Sequence, residues 1–578
     1  MLIKRIFLPV LILCLLFSTG QTSPKDRGIP DSITIQKFIA EVQDFEMNFY
    51  NSDIADSVNL KEGMKYFDQL IESYTLLDLQ YPDSNFADKA FMYLEKKKNL
   101  NVLTLFKISD KTFSNYKGNN SNVFENLKDS TRVSETDRNL FSFMQQPVAI
   151  SDLQNNFLND HDAILDFWIK DNKICVFILT EDSLKIVRWD IPIDQIKIKI
   201  NALISPFYGK IDLFRLEFNS QISYQLYQYL FQPLEQHIQL CKVIYVIADD
   251  FLIGFPFELL VTDTTINKKY HHDIYYHGYR YLNYLIKKYA ISYNYSTATF
   301  ALVKGLDRTT KKLGRRLLTM SEPIIPQNLN ELLYQMGTFS TNDLFISDYS
   351  HDEIKRVSRL LFRHDILKKE AVIKKYLFVN GYTYRWLYFA LPGILDNLNP
   401  LNSGLLFSTD KNDTLYTSNW LSVNEAMKLN LAADLLSLSA SQLRSFHTDG
   451  NPGVIALPQS FLLSGVKSVL FSLWRINSIS TSQFMSKFYW ELKYKRQTNA
   501  QALQEAKVAS MKDTFIFNRK QISRAHPYFW ATFQLIGNPK IRPPSPTKIQ
   551  PWGIIIIVYV CVVAVSLYIT RKTLPGRR

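Results

Sequence analysis

Ser441, His447 and Asp449 set a hydroxyl, an imidazole and a carboxylate within nine residues of one another. A hydrolase builds its nucleophile, general base and orienting acid from these groups, but such triads are defined by geometry and not by spacing. The plainer alternative is a small polar Ser441 followed by a solvated His447. Thiol chemistry has fewer candidates. Of four cysteines, Cys14 and Cys561 lie in apolar terminal stretches, which leaves Cys175 and Cys241. A reactive cysteine needs a thiolate stabilised by a neighbouring base. Cys175 falls inside a strand-like run and Cys241 just before one, whereas open α/β sheets place their sites at the carboxyl ends of strands. Two cysteines make no disulfide framework. A single Cys175–Cys241 bridge would suit an oxidising compartment, and two buried thiols are the plainer expectation. His271, His272 and His277 cluster in KKYHHDIYYHGY. Neighbouring imidazoles can bind zinc, but no cysteine or ordered ligand spacing accompanies them. A tyrosine-rich surface loop is expected, with neither metal nor cofactor.

The elements that would position these groups change character along the chain. Gly63–Gln80 and Phe86–Phe106 repeat apolar residues at helical spacing on either side of Pro82-Asp83-Ser84, which predicts one helical hairpin. Ser109–Thr136, rich in Asn, Ser, Asp and Lys, reads as an exposed loop. Ala163–Ile169, Ile174–Thr180 and Leu184–Ile191 then read as an antiparallel meander turned at Asp171-Asn172 and Glu181-Asp182. After a helix-like Ser223–Gln239 come the apolar runs Val243–Ala248, Trp386–Leu391, Leu435–Leu438 and Val469–Leu473. Helical segments separate the later runs, which implies α/β units on a mainly parallel sheet. Ser480 and Gln483 have the spacing of a capping box, and Phe484, Phe488 and Leu492 recur on one helix face.

The ends point to a membrane. Met1–Gly20 joins a basic start (Lys4, Arg5) to the apolar Ile6–Phe17 and the small residues Ser18-Thr19-Gly20, the layout of a signal peptide cleaved after Gly20. An uncleaved anchor is the alternative, disfavoured because the apolar stretch falls short of the roughly 20 residues a span needs. Gly553–Thr570 runs eighteen residues without a charge, enough for about 27 Å of helix. It reads as a single-pass transmembrane helix rather than a buried core helix. Arg571, Lys572, Arg577 and Arg578 follow it and assign the tail to the cytoplasmic side. The main domain is therefore expected outside the cytoplasm. A net charge of +13 could signal nucleic acid, but this location argues against it. The densest basic run, Lys304–Arg316, carries no nucleic-acid motif. A solvated loop is expected there, with contact to an anionic membrane or envelope surface as the alternative.

Several stretches in collinear order carry a family resemblance: AILDFWIKDNKICVFIL (Ala163–Leu179), VIYVIADDFLIGFPFELLV (Val243–Val261) and YLNYLIKKYAISYNYSTA (Tyr281–Ala298). The strongest runs from GVIALPQSFLLSGVKSVLFSLWRINSISTSQFMSKFYWEL (Gly453–Leu492) to HPYFWATFQLIGNP (His526–Pro539). The chain resembles the CHAT domain family, a caspase-like module of the clan that also contains caspases and separases. The resemblance implies an α/β fold with a mainly parallel sheet flanked by helices. It also implies a catalytic pair, a histidine before glycine after one strand and a cysteine after alanine following the next. Those positions hold Pro392, before Gly393, and Ser441, after Ala440. No histidine occurs between Asp365 and Phe446, and no cysteine between Lys242 and Val560, so no realignment within these intervals restores the pair. Proline can neither take nor give a proton. In a serine protease, losing the nucleophile or the histidine alone costs about six orders of magnitude in turnover. His526 matches a family position that looks structural, a bend before the final strand.

Two readings follow. The first is a membrane-anchored, extracytoplasmic CHAT-domain pseudoprotease that binds or regulates a protein or peptide partner and no nucleic acid. The second is an active CHAT-type endopeptidase, either a serine variant through Ser441, with His447 as its candidate base, or one completed by groups that the sequence does not mark. The expected organisation is a signal peptide (1–20), a helical region (21–146), a CHAT-like domain (147–540), a Pro-rich linker (541–552), a transmembrane helix (553–570) and a basic tail (571–578).

Overall fold

The computed structural model describes residues 57–82, 85–105, 147–209, 211–263, 274–305, 317–325, 350–360, 364–396, 400–408, 419–439, 441–443, 452–542 and 563–565. The signal peptide, the Ser109–Thr136 loop, most of the Lys304–Arg316 run, most of the linker and nearly all of the expected span lie outside these residues. Among the described residues no helix is long and apolar enough to cross a membrane. The chain divides into two compact units, Met1–Ile541 and Arg542–Arg578, and the architecture below is that of the first.

The three runs of the meander become β1 (Asp162–Lys170), β2 (Lys173–Leu179) and β3 (Leu184–Asp190). Next come β4 (Val243–Ile247), β5 (Ile274–Tyr275), β6 (Ala290–Asn294), β7 (Leu317–Ser321), β8 (His364–Lys368) and β9 (Trp386–Ala390). Three short strands follow, β10 (Gly393–Leu395), β11 (Gly404–Leu406) and β12 (Trp420–Ser422), and then β13 (Leu435–Leu438) and β14 (Ser441–Leu443). The last four are β15 (Ser468–Ser472), β16 (Thr514–Phe517), β17 (Lys520–Ser523) and β18 (Phe533–Gly537). Eleven of these form one sheet in the order β3-β2-β1-β4-β6-β18-β15-β13-β9-β7-β8. The meander is not a separate layer, because β1 runs parallel to β4 with Asp162 opposite Val243.

Two parallel blocks make up nine of its eleven strands, and β2 and β3 extend the first block at one edge, β2 running antiparallel to both its neighbours. The first block contains β1, β4, β6 and β18, the other β15, β13, β9, β7 and β8, and they meet antiparallel at β18 and β15. The carboxyl ends of the two blocks therefore face opposite edges of the sheet. The inner strands are buried along their whole length, as continuous apolar runs covered by helices on both faces require.

Three charges, two of them buried, fix how the second block begins. Asp434, 1% exposed and just before β13, pairs with Arg385, which precedes β9, and with Lys467, which precedes β15, at 3.1 Å. Its N–H also donates to the Arg385 carbonyl at 2.7 Å. Gly465 makes the turn into β15 at φ +107, where a Cβ would lie 1.9 Å from the Leu431 carbonyl oxygen. Only glycine fits that approach.

The expected helical hairpin is present as Ser57–Gln80 and Phe86–Leu105. It is tied to the first block by Lys98, which pairs with Asp166 on β1 and donates to the carbonyls of Phe167 (2.8 Å) and Ile247 (3.3 Å). One local expectation is corrected. The helix Ser478–Trp490 starts earlier than the Ser480/Gln483 spacing implies, because the Asn477 side chain caps it by accepting from Ser480 N–H at 2.8 Å. The Ser480 hydroxyl instead accepts from Arg524 Nε at 2.9 Å. Phe484, Phe488 and Leu492 do face the core.

Candidate active site

Strands β9 and β13 are neighbours in register, with Trp386 opposite Leu435 and Phe389 opposite Leu438. Their carboxyl ends thus open side by side, where sites in such sheets form. Each chain then turns up into a second, four-stranded sheet, β12-β11-β10-β14. There β10 pairs with β14 in parallel, and Gly393 lies opposite Ser441. The fold therefore brings together the two positions that the resemblance singled out: Pro392 immediately precedes the backbone partner of Ser441. His447 and Asp449 lie outside the described residues.

Pro392 is buried, and its carbonyl accepts from Leu406 N–H at 2.8 Å. The small sheet around it is firmly built. Ser422 and Glu425 form a reciprocal capping box for the helix Val423–Met427, and buried Lys374 donates to Glu425 at 2.7 Å and to the Trp420 carbonyl at 3.1 Å. Pro392, the residue that the resemblance placed at the imidazole position, is thus a buried ring without a proton to exchange.

Below this point lies a buried polar group that no motif marks. Glu353, on the helix Ser350–Leu360, accepts a hydrogen bond from Tyr388 of β9 and is 2% exposed. Burial pushes its carboxyl up to about 7, against the Tyr388 hydrogen bond that favours the ionised form. The spacing of four from Glu353 to buried Val357 is the one local sign that Glu353 faces inward.

Both remaining thiols are buried. Cys175 is 1% exposed within β2 and burial pushes its thiol up to about 12; Cys241, 9% exposed before β4, is pushed up to about 11. Both are free and, by these values, protonated at neutral pH. The plainer expectation of buried thiols holds over the bridge.

The surface-loop reading of the histidine cluster fails at His277. This residue is 6% exposed, opens the 3-10 turn His277–Tyr281 and packs edge-on to Tyr281 at 5.6 Å. Arg280 Nη1 lies 3.2 Å from its Nε2. His271 and His272 lie outside the described residues.

His526 is structural, as its family position implies. It is fully buried, caps the turn Pro527–Phe529 by accepting from Tyr528 N–H at 3.1 Å, and stands edge-on to Phe207, Phe218, Tyr276 and Tyr279. Burial lowers its pKa to about 3. The unfolded chain, near 6.5, binds this proton first, so the stability it contributes is complete above about 6.5 and is lost as pH falls toward about 3. Going from pH 7 to pH 5 should cost about 2 kcal/mol through this residue. Urea titrations at the two pH values read it, and that part of the difference should vanish in His526→Gln.

The CHAT domain model matches residues 221–538, more than half of the chain, and the chain belongs to the CHAT domain family. Two solved structures of the Saccharomyces cerevisiae separase–securin complex resemble it at 9% identity, with TM-scores of 0.42 and 0.41. They cover 93% and 87% of this chain, which spans 40% and 37% of those chains. No curated protein matches the chain.

Proposed function

We propose that this CHAT-domain protein is a membrane-anchored pseudoprotease whose main domain, outside the cytoplasm, binds a protein or peptide partner without cleaving it. One observation carries the reading: the adjacent carboxyl ends of β9 and β13 hold Pro392 and Ser441 where the family's active members hold histidine and cysteine. Because the base is missing as well as the thiol, exchanging one nucleophile for another does not describe the change. The surrounding framework persists, with its core strands, capped helices and second sheet. Such a framework can present a binding surface without turnover, a use of the fold that rests on analogy. The signal-peptide layout of Met1–Gly20, the uncharged stretch Gly553–Thr570 and the basic residues after it support the anchor and its orientation.

The test is covalent labelling of the full-length chain. Neither a serine-directed fluorophosphonate nor a cysteine-directed peptide electrophile should label it above a heat-denatured control. Labelling by the fluorophosphonate that disappears in Ser441→Ala would replace this reading with that of a serine endopeptidase.

A further inference from the structure

The helix Ser478–Trp490 ends in one turn of π-helix, Glu491–Lys495, and Arg496 follows in the left-handed conformation at φ 56. Such wide turns often mark functional positions. This one holds two large rings in solvent: Trp490 is 41% exposed and Tyr494 54%, with ring centres 5.8 Å apart. Lysine ammonium groups stand over both rings, Lys493 at 4.9 Å from Tyr494 and Lys495 at 5.6 Å from Trp490. Arg496 adds a third cation, and it is exposed. Glu491 and the exposed Glu505 of the next helix oppose them, leaving a net positive face.

This loop lies beside the point where the chain leaves the domain. Asn499, three residues beyond Arg496, donates its N–H to the Ile541 carbonyl at 3.1 Å, and Ala500 does the same to Pro539 at 3.1 Å. Three residues reach about 11 Å at most. Residues 542–552, extended at 3.3–3.6 Å each, span no more than about 40 Å before the uncharged stretch Gly553–Thr570 begins. A tether of that length leaves the domain within reach of the surface of any bilayer that Gly553–Thr570 enters. Exposed Trp and Tyr prefer that layer, with the ring in the acyl boundary and the polar edge in water. Adjacent lysines and arginine are drawn to anionic headgroups.

We propose that Trp490, Lys493, Tyr494, Lys495 and Arg496 form a docking surface for an anionic lipid bilayer, which orients the domain on the membrane that anchors it. The proposal rests on the membrane-anchored reading, and two measurements keep their failures apart. Alkaline carbonate extraction of vesicles carrying the full-length chain reads the anchor alone. Docking is read by tryptophan emission with brominated lipids, in phosphatidylcholine vesicles with and without about one third phosphatidylglycerol. Quenching should rise in the anionic vesicles, and high salt should reverse the rise. Trp490→Phe should remove this lipid-dependent part, and the triple change Lys493→Gln, Lys495→Gln, Arg496→Gln should reduce it by more than about half. All these substitutions lie on partly or fully exposed side chains and should leave the thermal midpoint in place.

Quenching that is equal in both lipids, or unchanged by Trp490→Phe, overturns the docking surface even if the chain resists carbonate. The first of these is also what a protein-binding loop would give. Release by carbonate refutes the anchor, and docking is then decided by the same quenching on peripherally bound protein.

Discussion

Replacing Lys507 with methionine is expected to cost about 3–5 kcal/mol of unfolding free energy. Lys507, on the helix Asn499–Ser510, donates to Glu258 at 2.8 Å, and both side chains are 0% exposed. Burial lowers the Lys507 pKa, and Glu258 opposes the shift. The Tyr293 hydroxyl also donates to Glu258 and itself accepts from Phe257 N–H at 2.9 Å. Methionine fills much of the lysine volume but leaves the carboxylate charged, buried and held by one hydroxyl. The large cost comes from that stranded charge and not from the net worth of the ion pair. Adding Glu258→Gln should therefore recover a substantial part of the loss. Urea unfolding of the two variants measures it. If Lys507→Met alone costs under about 1 kcal/mol, the pair is wetter than its burial implies.

Asp434→Asn is expected to lose a similar amount, about 3–5 kcal/mol. The carboxylate is the shared partner of Arg385 (15% exposed) and Lys467 (5% exposed), and its removal strands two cations at the amino ends of three central strands. Chemical denaturation reads the loss. A second readout separates this role from general destabilisation. Because the Asp434 N–H bonds the Arg385 carbonyl at 2.7 Å, slowed amide exchange along β9 and β13 should fall in the variant before exchange in β4 and β6 changes. Equal loss of protection in both blocks would mean that Asp434 does not specifically seat the site-bearing strands.

On the pseudoprotease reading, the Asp434 cluster is what keeps the framework in place without the chemistry. It seats β9 and β13 at their amino ends, while Pro392 and Ser441 follow their carboxyl ends. Substitution at Pro392 or Ser441 therefore leaves the seating untouched. Pro392 is compatible with its place because the small sheet uses its carbonyl, as acceptor for Leu406, and proline lacks only the N–H.

Much of this protein was legible in the sequence because the signals are local. Apolar runs of four to eight residues marked β1, β4, β9, β13 and β15 to within a residue or two, since strands buried on both faces must be continuously apolar. Helical spacing marked the hairpin for a similar reason. The absence of histidine and cysteine across the relevant intervals is a property of sequence alone and needs no coordinates. Other features were decided only by tertiary packing. That the meander joins the large sheet is one of these, because hydrogen bonding of β1 to β4 links strands about 80 residues apart. The helix cap fell to Asn477 and not to Ser480, because Arg524 from a distant strand end claims the Ser480 hydroxyl. His277 and Glu353 look like surface residues in one dimension, and their burial depends on what the rest of the chain lays over them. The pairing of Gly393 with Ser441 belongs to the same class. The resemblance singled out Pro392 and Ser441 one by one, while only the registry of two parallel strands could bring those stretches side by side.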